Sequence, residues 1–413
     1  MTGRPGDDRT VIIGGGQAAL SVIESLRAGN HAGPITLVDA HEGLPYQRPP
    51  LSKAYLAGTG GHDTTLLRPA SYYVENDVEL MLGSRCVAVH REERQVELAS
   101  GERLSYGHLV LAPGSAPRQL VVPGADLDGV LTLHGLADAD LLREALGAAS
   151  SLVVIGGGFI GLEVASFAAK AGLAVTVLEA GERLMQRSSS PMLSEFIRTL
   201  HTAAGVDIRL GARVVSIEGD RAVEGVVLAD GERLPADVVL VAVGSVPATA
   251  AIACDVDRAD GGAVLVGPGL VSSDRAILAA GDSASFIAGD GRCTRLESVQ
   301  NATDQGRCVA ASIMGRPTAF DAVPWFWTEQ LGAKVQIAGL VDRADRWVLR
   351  GSLGDHRFTI FSYAGEQLLA AESVGRVADH IGARAILKGG GTLSPAHAAD
   401  VGVDLRKLAA EAQ

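Results

Sequence analysis

The stretch SLVVIGGGFIGLEVASFAAKAGLAVTVLEA, residues 151–180, predicts a complete strand, glycine turn, helix and second strand. Residues 152–155 are a β-branched run typical of a buried parallel strand. Gly156, Gly158 and Gly161 follow with G-x-G-x-x-G spacing. The first glycine allows the tight turn, the second lets a pyrophosphate approach the backbone, and the third lets the helix lie close to the strand. The N-terminus of the helix then faces the anion.

The second strand of this unit, residues 175–178, ends at Glu179. A carboxylate there can accept hydrogen bonds from an adenosine ribose and would repel a 2′-phosphate, which predicts NADH rather than NADPH. A glycine motif alone is a weak signal, because a glycine-rich turn is often only a turn. Here the strand, the helix and the acid stand at the expected distances, which favours nucleotide binding.

The same pattern occurs near the N-terminus, where residues 10–40 read TVIIGGGQAALSVIESLRAGNHAGPITLVDA. Gly14 and Gly16 are followed by Ala19 in the third position, and the second strand, residues 35–38, ends at Asp39. Two such units in one chain imply two adenosine diphosphate sites, and therefore two bound dinucleotides.

Length, hydropathy and charge limit the class of protein. At 413 residues the chain is long enough for two or three domains. No stretch approaches the roughly 18 apolar residues of a membrane span, and the start MTGRPGDDRT is polar. We therefore expect a cytoplasmic protein with no membrane partner. The net charge of −12 argues against nucleic-acid binding, although residues 323–413 are balanced, with 10 Lys and Arg against 10 Asp and Glu.

The remaining segments repeat one plan. A small meander and a returning strand are predicted after each glycine unit, at residues 87–89, 96–98 and 109–111 and again at 207–217, 222–228 and 237–244. The proline-rich segment 45–53 is predicted to lead into a helix.

A further apolar strand ends at Gly281-Asp282, and we expect it to return to the first domain and place Asp282 under a ribityl hydroxyl. A helix is predicted to begin near Ser298. The last 91 residues predict a separate α+β domain, with strands near 334–340, 347–350 and 358–363 and a helix at 375–387.

Five stretches carry a resemblance to a known family: PYQRPPLSK (45–53), GGGFIGLEVA (156–165), AAGDSASF (279–286), RLESVQNA (295–302) and PWFWTEQ (324–330). With these stretches, the chain resembles the FAD-dependent, NADH-linked ferredoxin reductases that serve Rieske oxygenases and bacterial cytochromes P450. The resemblance implies an α/β fold with two Rossmann-like, glutathione-reductase-like domains and a C-terminal α+β domain. Residues 1–116 and 246–322 would bind FAD, residues 117–245 would bind NADH, and residues 323–413 would help cover the flavin.

The resemblance and the motifs together imply a set of cofactor-binding residues. They are Gly14, Gly16, Gln17, Ala18, Asp39, Arg48, Lys53, Ala112, Gly156, Gly158, Gly161, Glu179, Asp282, Glu297, Val299 and Trp327. Arg48 and Lys53 would contact the flavin, and Trp327 would lie close to its ring system. Lys53 and Glu163 are the implied catalytic pair beside the nicotinamide, with a purely structural salt bridge as the alternative. No metal site is expected.

Three positions depart from the usual pattern of the family. Pro113 stands where a threonine is usual, so one hydroxyl is lost. His134 stands where an arginine is usual, and Asp39 occupies a position that is commonly glycine. These changes would affect the affinity or the potential of the flavin, and they leave both glycine turns intact.

The cysteines decide where electrons leave the protein. Disulfide reductases of similar architecture need a cysteine pair beside the flavin, whereas residues 39–53 contain no cysteine, and the four cysteines of the chain form no close pair. Electrons are therefore expected to leave from the flavin itself toward a [2Fe–2S] ferredoxin, for which Arg68, Arg316 and Lys388 are candidate docking cations. The alternative is a flavin-binding signalling module like apoptosis-inducing factor, which rapid turnover with a ferredoxin would exclude.

Overall fold

The chain folds into two compact units, each assembled from separate pieces. In the computed structural model, residues 8–289, 291–390 and 392–411 are described, so most of the polar start lies outside the described residues. The first unit comprises Met1–Arg48, His62–Ala116 and Ser245–Ala322. The second unit comprises Pro49–Gly61, Pro117–Gly244 and Val323–Gln413. In these described ranges, no helix combines the length and the apolarity that crossing a membrane requires.

The elements alternate between strands and α-helices around each glycine turn, and runs of consecutive strands follow. Within the described residues the strands are β1 (Thr10–Ile13), β2 (Ile35–Val38), β3 (Val78–Met81), β4 (Cys86–His90), β5 (Gln95–Leu98), β6 (Arg103–Ser105), β7 (His108–Leu111), β8 (Ser115–Pro117), β9 (Val130–Leu131), β10 (Ser151–Ile155), β11 (Ala174–Glu179), β12 (Asp207–Leu210), β13 (Val214–Glu218), β14 (Gly225–Leu228), β15 (Arg233–Pro235), β16 (Val238–Val241), β17 (Ser245–Pro247), β18 (Val264–Val266), β19 (Ile277–Ala279), β20 (Ala284–Ile287), β21 (Cys293–Thr294), β22 (Trp325–Gln330), β23 (Ala333–Gly339), β24 (Arg346–Ser352), β25 (Arg357–Ala364) and β26 (Gln367–Val374). The α-helices described are α1 (Gln17–Ala28), α2 (Ala70–Glu75), α3 (Leu136–Ala148), α4 (Phe159–Lys170), α5 (Pro191–Ala203), α6 (Val299–Ile313), α7 (Val377–Lys388), α8 (Pro395–Ala399) and α9 (Leu405–Glu411).

The first unit is built on a parallel sheet with the strand order β19-β7-β1-β2-β3. Strands β1 and β2 are fully buried apolar runs, as a parallel sheet covered on both faces requires. Helix α1 packs closely against α6, because Gly306 has no side chain to separate them: a Cβ there would lie 2.7 Å from the Ala18 carbonyl oxygen. Strand β19 joins β7, which confirms that the strand predicted at residues 277–280 returns to this part of the fold.

The second unit repeats this plan with the parallel order β12-β11-β10-β16-β9. Strand β10 lies between β11 and β16, as β1 lies between β2 and β7. The prediction that residues 207–217 and 222–228 form a meander was wrong for residues 207–210. Residues Asp207–Leu210 pair in parallel with β11, and only Val214–Glu218 enters the antiparallel meander β13-β14-β15. Gly211, with φ at +67°, makes the turn between the two strands.

An antiparallel sheet with the order β22-β23-β26-β25-β24 forms the rest of the second unit. Helices α7 and α9 pack together, and the core beneath them includes Phe361, Tyr363 and Leu368, all nearly inaccessible to solvent. Of the five strands of this sheet, β22 and β26 were not predicted from the sequence.

The segment that follows Pro45 does not form the predicted α-helix. It makes one 3₁₀ turn, Pro49–Ser52, and continues as consecutive turns. Gly58, the last residue of these turns, adopts a positive φ of +69°. This conformation cannot continue an α-helix, and glycine disfavours one, which explains why the predicted helix is absent.

Within the second unit, a buried carboxyl of the C-terminal sheet forms a hydrogen bond with the residue that precedes α5. Glu372 on β26 has no exposed surface, and its Oε1 accepts a hydrogen bond from the Ser190 amide at 2.8 Å. Burial raises the pKa of Glu372 to about 7, more than the hydrogen bonds from Ser190 and the charge of Arg183 offset. At neutral pH the carboxyl is therefore poised between its two protonation states.

We expect Glu372 to make the protein less stable as pH rises. Because its pKa is raised in the folded state, the folded protein retains a proton between about pH 4.5 and 7 that the unfolded chain has lost. The free energy of unfolding should therefore fall across this window, by at most about 3 kcal/mol. His380 acts in the opposite sense, because burial lowers its pKa to about 4. Urea unfolding of Glu372→Gln and the parent protein from pH 4.5 to 8 isolates the Glu372 contribution, and parallel curves would contradict it.

Candidate functional site

The first glycine turn forms an open cradle at the start of α1. Gly14 adopts a φ of +102°, and a Cβ there would lie 2.3 Å from the carbonyl oxygen of Ala112 at the end of β7. Gly16 caps α1 with extended backbone, no side chain caps the helix, and a Cβ at Gly16 would meet nothing within 4 Å. Gln17 and Ala18 then form the first turn of α1. The N-terminal amides of this helix therefore face space that an anion can fill.

The second glycine turn has the same geometry at the start of α4. Gly156 adopts a φ of +110°, and its Cβ would lie 2.3 Å from the carbonyl oxygen of Ala242. A Cβ at Gly161 would lie 2.3 Å from the Gly156 carbonyl oxygen, so this glycine sets the close approach of helix and strand. Gly158 caps α4 without a side-chain hydrogen bond, and a Cβ there would meet nothing within 4 Å. Both turns thus fit a dinucleotide pyrophosphate.

The two acids lie against the middle residue of each turn. Two backbone amides hold the Glu179 carboxylate. Its Oε2 accepts a hydrogen bond from the Gly157 amide at 2.8 Å, and its Oε1 accepts one from the Gly181 amide at 2.7 Å. Asp39 occupies the equivalent place, where its Oδ2 would lie 2.1 Å from a Cβ at Gly15. Each carboxylate is therefore fixed at the end of the second strand, where an adenosine ribose would be read.

Asp282 is brought to the first turn of α1. Gly281 adopts a φ of +72°, and a Cβ there would lie 3.4 Å from that of Ala18. The Ser115 hydroxyl donates to Asp282 Oδ2 at 2.9 Å. Burial, followed by the nearby charge of Glu297, raises the pKa of Asp282. The hydroxyl that orients Asp282 thus comes from Ser115, two residues after Pro113.

Glu297 is oriented by two neighbours in the first unit. The Ser245 hydroxyl donates to Glu297 Oε1 at 2.9 Å, and Arg295 forms an ion pair with the same carboxylate. Arg295 also donates to the backbone carbonyl of Asp282 at 3.1 Å. The following helix α6 begins at Val299, where the Ser298 hydroxyl caps it by accepting from the Asn301 amide.

Lys53 and Glu163 form an ion pair within the second unit. Lys53 Nζ lies 2.6 Å from Glu163 Oε2, and the Ser52 hydroxyl donates to the same oxygen at 2.5 Å. The Glu163 side chain is 5% exposed and that of Lys53 is 26% exposed. The ammonium group therefore retains access to solvent or a ligand, while its counter-ion does not.

The predicted flavin contacts are divided between the units. Arg48 is an exposed residue of the first unit. Lys53 and Trp327 belong to the second unit, where the Trp327 ring centroid lies 5.3 Å from that of Trp325. Among the described residues, no group of three or more His, Cys, Asp or Glu side chains is arranged to hold a metal ion.

Comparison with known proteins identifies the family. Residues 8–306 match the family described as pyridine nucleotide-disulphide oxidoreductase, and residues 325–409 match the reductase C-terminal domain. The chain belongs to the pyridine nucleotide-disulphide oxidoreductase family. It is 44% identical to rhodocoxin reductase of Rhodococcus erythropolis, over 96% of this chain and 93% of the relative.

Solved structures give the same result for this oxidoreductase. The crystal structure of the ferredoxin reductase for the CYP199A2 system from Rhodopseudomonas palustris has a TM-score of 0.94 and 42% identity, covering 97% of this chain and 100% of that one. The reductase in a covalent putidaredoxin reductase–putidaredoxin complex has a TM-score of 0.93 and 37% identity, covering 98% and 99%. The predicted family, fold class and cofactors, FAD and NADH, are confirmed.

The cysteines of this oxidoreductase are all free thiols: Cys86, Cys254, Cys293 and Cys308. Burial raises the pKa of the Cys86 thiol to about 12, so it is unreactive at neutral pH. In this structure none of the four cysteines forms a disulfide with another.

Sequence reasoning missed several polar residues that orient the site. Ser52, Ser115, Ser245, Arg295 and Thr328 each contact one of the predicted acids. Three of them lie inside or beside stretches that carry the resemblance, and the alternation of Thr328 with Gln330 on one strand face was the available signal for a buried polar contact.

Proposed function

We propose that this protein is an NADH-dependent, FAD-containing ferredoxin reductase whose electron acceptor is a [2Fe–2S] ferredoxin that supplies a cytochrome P450 or a Rieske oxygenase. The duplicated glycine turn carries the proposal, because each unit presents a helix N-terminus with open space at its capping glycine. The relatives named for rhodocoxin and putidaredoxin support the class of acceptor.

In the first unit, FAD would be held by the start of α1 and by two acids. The amides that follow Gly16, including those of Gln17 and Ala18, would bind the pyrophosphate. Asp39 would accept hydrogen bonds from the adenosine ribose, and Asp282 from the ribityl chain. Ala112 supplies the carbonyl against which the Gly14 turn closes. Glu297, Val299, Arg48 and Trp327 remain proposed contacts.

In the second unit, NADH would be held by Gly156, Gly158, Gly161 and Glu179 in the corresponding way. Bound NADH would supply a hydride, and bound FAD would supply a two-electron acceptor that can be reoxidised in single-electron steps. One NADH and two oxidised ferredoxins thus give NAD⁺, one proton and two reduced ferredoxins. The protein needs to align the cofactors and exclude competing reactions, and it needs no acid–base triad.

Lys53 and Glu163 are the proposed catalytic pair. Their ion pair places a positive group at partial exposure above a buried carboxylate, which sets the local charge for a bound nicotinamide. This arrangement supports a role in alignment, and substitution of Lys53 would distinguish it from a purely structural salt bridge.

Glu179 should confer a preference for NADH of about one to three decades in kcat/KM. A unit charge about 4 Å away costs roughly 1 kcal/mol in water and about 4 kcal/mol at an effective dielectric near 20. Two backbone amides fix the Glu179 carboxylate, so it cannot swing away from a 2′-phosphate. Arg183 is held in place, because its guanidinium donates to the Ser189 carbonyl and the Ser194 hydroxyl, so these donors are not free to bind a 2′-phosphate. Steady-state kinetics with NADH and NADPH measure the preference.

The matched variants for this prediction are Glu179→Ala and Glu182→Ala. Glu182 is an exposed acid three residues further on, so its removal changes the net charge equally without touching the proposed ribose site. The preference should shrink at least tenfold in the first variant and stay unchanged in the second. Equal preferences in Glu179→Ala and the parent protein would refute the assignment.

Docking of the ferredoxin requires a local cationic patch if the acceptor is acidic. Arg68 is paired with Glu24 at 2.5 Å in the first unit, which offsets part of its charge. Arg316 and Lys388 are exposed, the former in the first unit and the latter in the second. We therefore regard Arg316 and Lys388 as the stronger candidates.

The test of the proposed function is NADH-driven reduction of a panel of [2Fe–2S] ferredoxins. Reduction of at least one ferredoxin much faster than the reaction of the reduced protein with oxygen is expected. If no ferredoxin is reduced faster than oxygen, the ferredoxin-reductase function is excluded. Raising the salt above roughly 0.1 M should slow reduction if the exposed cations steer docking.

Two coarser features remain proposals. The division into an FAD domain (1–116 and 246–322), an NADH domain (117–245) and a C-terminal domain (323–413) is supported by the inclusion of Ser245–Ala322 in the first unit and by the separate match at 325–409. A cytoplasmic location is supported by the four free thiols, which suit a reducing compartment.

A further inference from the structure

A line of buried hydrogen bonds leads to the carboxylate of Glu163 inside the second unit. The Thr328 hydroxyl donates to Glu163 Oε1 at 2.7 Å. Gln330 Nε2 in turn donates to the Thr328 oxygen at 3.1 Å, and His201 Nε2 donates to Gln330 Oε1 at 3.0 Å. Each acceptor is thus also the donor of the next bond, so all three bonds point toward Glu163.

The direction of these bonds follows from the state of His201. This histidine on α5 has no exposed surface, and burial lowers its pKa, so the ring is neutral at physiological pH. Its Nδ1 has no hydrogen-bond partner among the described residues, whereas Nε2 faces the Gln330 carbonyl. The proton therefore resides on Nε2.

Water cannot replace these contacts. Thr328, Gln330 and His201 each have no exposed surface, and Glu163 is only 6% exposed. Aligned hydrogen bonds in such an environment polarise and strengthen one another. The opposite oxygen of Glu163 accepts from Lys53 and Ser52, so the carboxylate has donors on both sides. The carboxylate group of Glu163 cannot rotate without breaking one of these hydrogen bonds, and water would not replace the lost donor.

We propose that Thr328, Gln330 and His201 are positioning residues that fix the Glu163 carboxylate and, through it, the Lys53 ammonium group. The proposal rests on the proposed function, in which Lys53 and Glu163 are the catalytic pair. It extends that function to three residues outside the predicted cofactor-binding and catalytic sets.

The location of the line supports this role over simple packing. Strand β22 places Thr328 and Gln330 on one face, and Trp327 on the other, because side chains alternate along a strand. The Thr328 side chain could be replaced by valine with nearly the same shape. A buried polar side chain at this position therefore contributes its hydroxyl rather than its volume.

The decisive variants are Thr328→Val, which removes the donor, and Thr328→Ser, which restores it. Thr359→Val is the matched control: Thr359 is equally buried in the C-terminal sheet and bonds to Ser373 and to the Asp379 carboxylate rather than to Glu163. We expect the rate constant of flavin reduction by NADH to fall about tenfold in Thr328→Val, the loss typical of one hydrogen bond to a charged group. It should stay within about twofold of the parent in Thr328→Ser and Thr359→Val.

A second readout needs no turnover. In the oxidised FAD-containing protein without NADH, the ¹³C resonance of the Glu163 carboxyl is assigned by its loss in Glu163→Gln, and its chemical shift is compared among the variants at one fixed pH. The loss of a hydrogen bond to a carboxylate oxygen changes the electron distribution of the carboxylate and therefore its chemical shift. The resonance should therefore be displaced in Thr328→Val. In Thr328→Ser and Thr359→Val it should keep the chemical shift of the parent protein.

The outcomes separate this proposal from the proposed function. If the parent protein reduces no ferredoxin, the proposed function fails, while the ¹³C chemical shift still shows whether Thr328 controls the carboxylate. If Thr328→Val matches the parent in both readouts, the positioning role is refuted. It is equally refuted if Thr328→Ser is as impaired as Thr328→Val, because packing rather than the hydroxyl would then explain the loss.

Discussion

Replacing Gly158 with valine should abolish reduction of the flavin by NADH while leaving FAD bound. A Cβ at Gly158 meets no protein atom within 4 Å, and the residue has an extended φ of −87° that any amino acid adopts. The folded protein therefore tolerates the side chain, which then occupies the space into which the pyrophosphate of NADH must come. Displacement of the coenzyme by even about 1 Å costs on the order of 10²-fold in rate. Stopped-flow absorbance of the oxidised flavin measures the reaction directly.

Two other glycines provide matched controls for this prediction. Gly16→Val makes the corresponding change at the start of α1, where a Cβ also meets nothing within 4 Å, and should yield a folded protein that lacks FAD. Gly147→Val adds the same side chain to open space on α3 and should affect neither the binding of FAD nor the reduction of the flavin by NADH. Normal reduction of Gly158→Val by NADH would refute the assignment of this turn. Loss of FAD from Gly158→Val would show that the substitution damages more than the proposed site.

These two turns were predictable because their signals are local. Strand β2 has the bounds predicted from the sequence, since a strand buried on both faces is a continuous apolar run. Gly14 and Gly156 have the positive φ angles that the motif requires, and Asp39 and Glu179 follow at a fixed distance along the chain. Each turn can be recognised from about thirty consecutive residues.

The polar contacts of the site could not be predicted in this way. Thr328 and Glu163 are separated by 165 positions, and nothing in either local pattern indicates that they touch. The same limit explains why Asp207–Leu210 was assigned to a meander, because its parallel pairing with β11 depends on the crossover through α5. Long-range packing decides such contacts, whereas periodicity reports only which face of an element is buried.

A buried cluster of charged side chains lies beneath α7, and the sequence pattern did not predict it. Arg350 on β24 is 2% exposed, and its Nε lies 3.0 Å from Asp379 Oδ2. The guanidinium also donates to the Asp400 and Val403 carbonyls, which tie the segment between α8 and α9 to the sheet. Asp379 pairs with Arg376 as well. A buried charged side chain on β24 therefore holds the segment between α8 and α9 against the sheet.

Asp379→Ala should lower the free energy of unfolding by about 3–5 kcal/mol, because it leaves the Arg350 guanidinium buried without a counter-charge. Urea unfolding followed by tryptophan fluorescence measures this, since all three tryptophans lie in the C-terminal sheet, at Trp325, Trp327 and Trp347.

Glu195→Ala, which breaks the exposed pair with Arg198 on α5, is the control and should change the transition little. Adding Arg350→Met to Asp379→Ala should cost less than the sum of the two single changes, because the second substitution removes the charge that the first left uncompensated. Strict additivity, or a loss in Asp379→Ala no larger than in Glu195→Ala, would show that this buried pair does not hold the C-terminal segment in place.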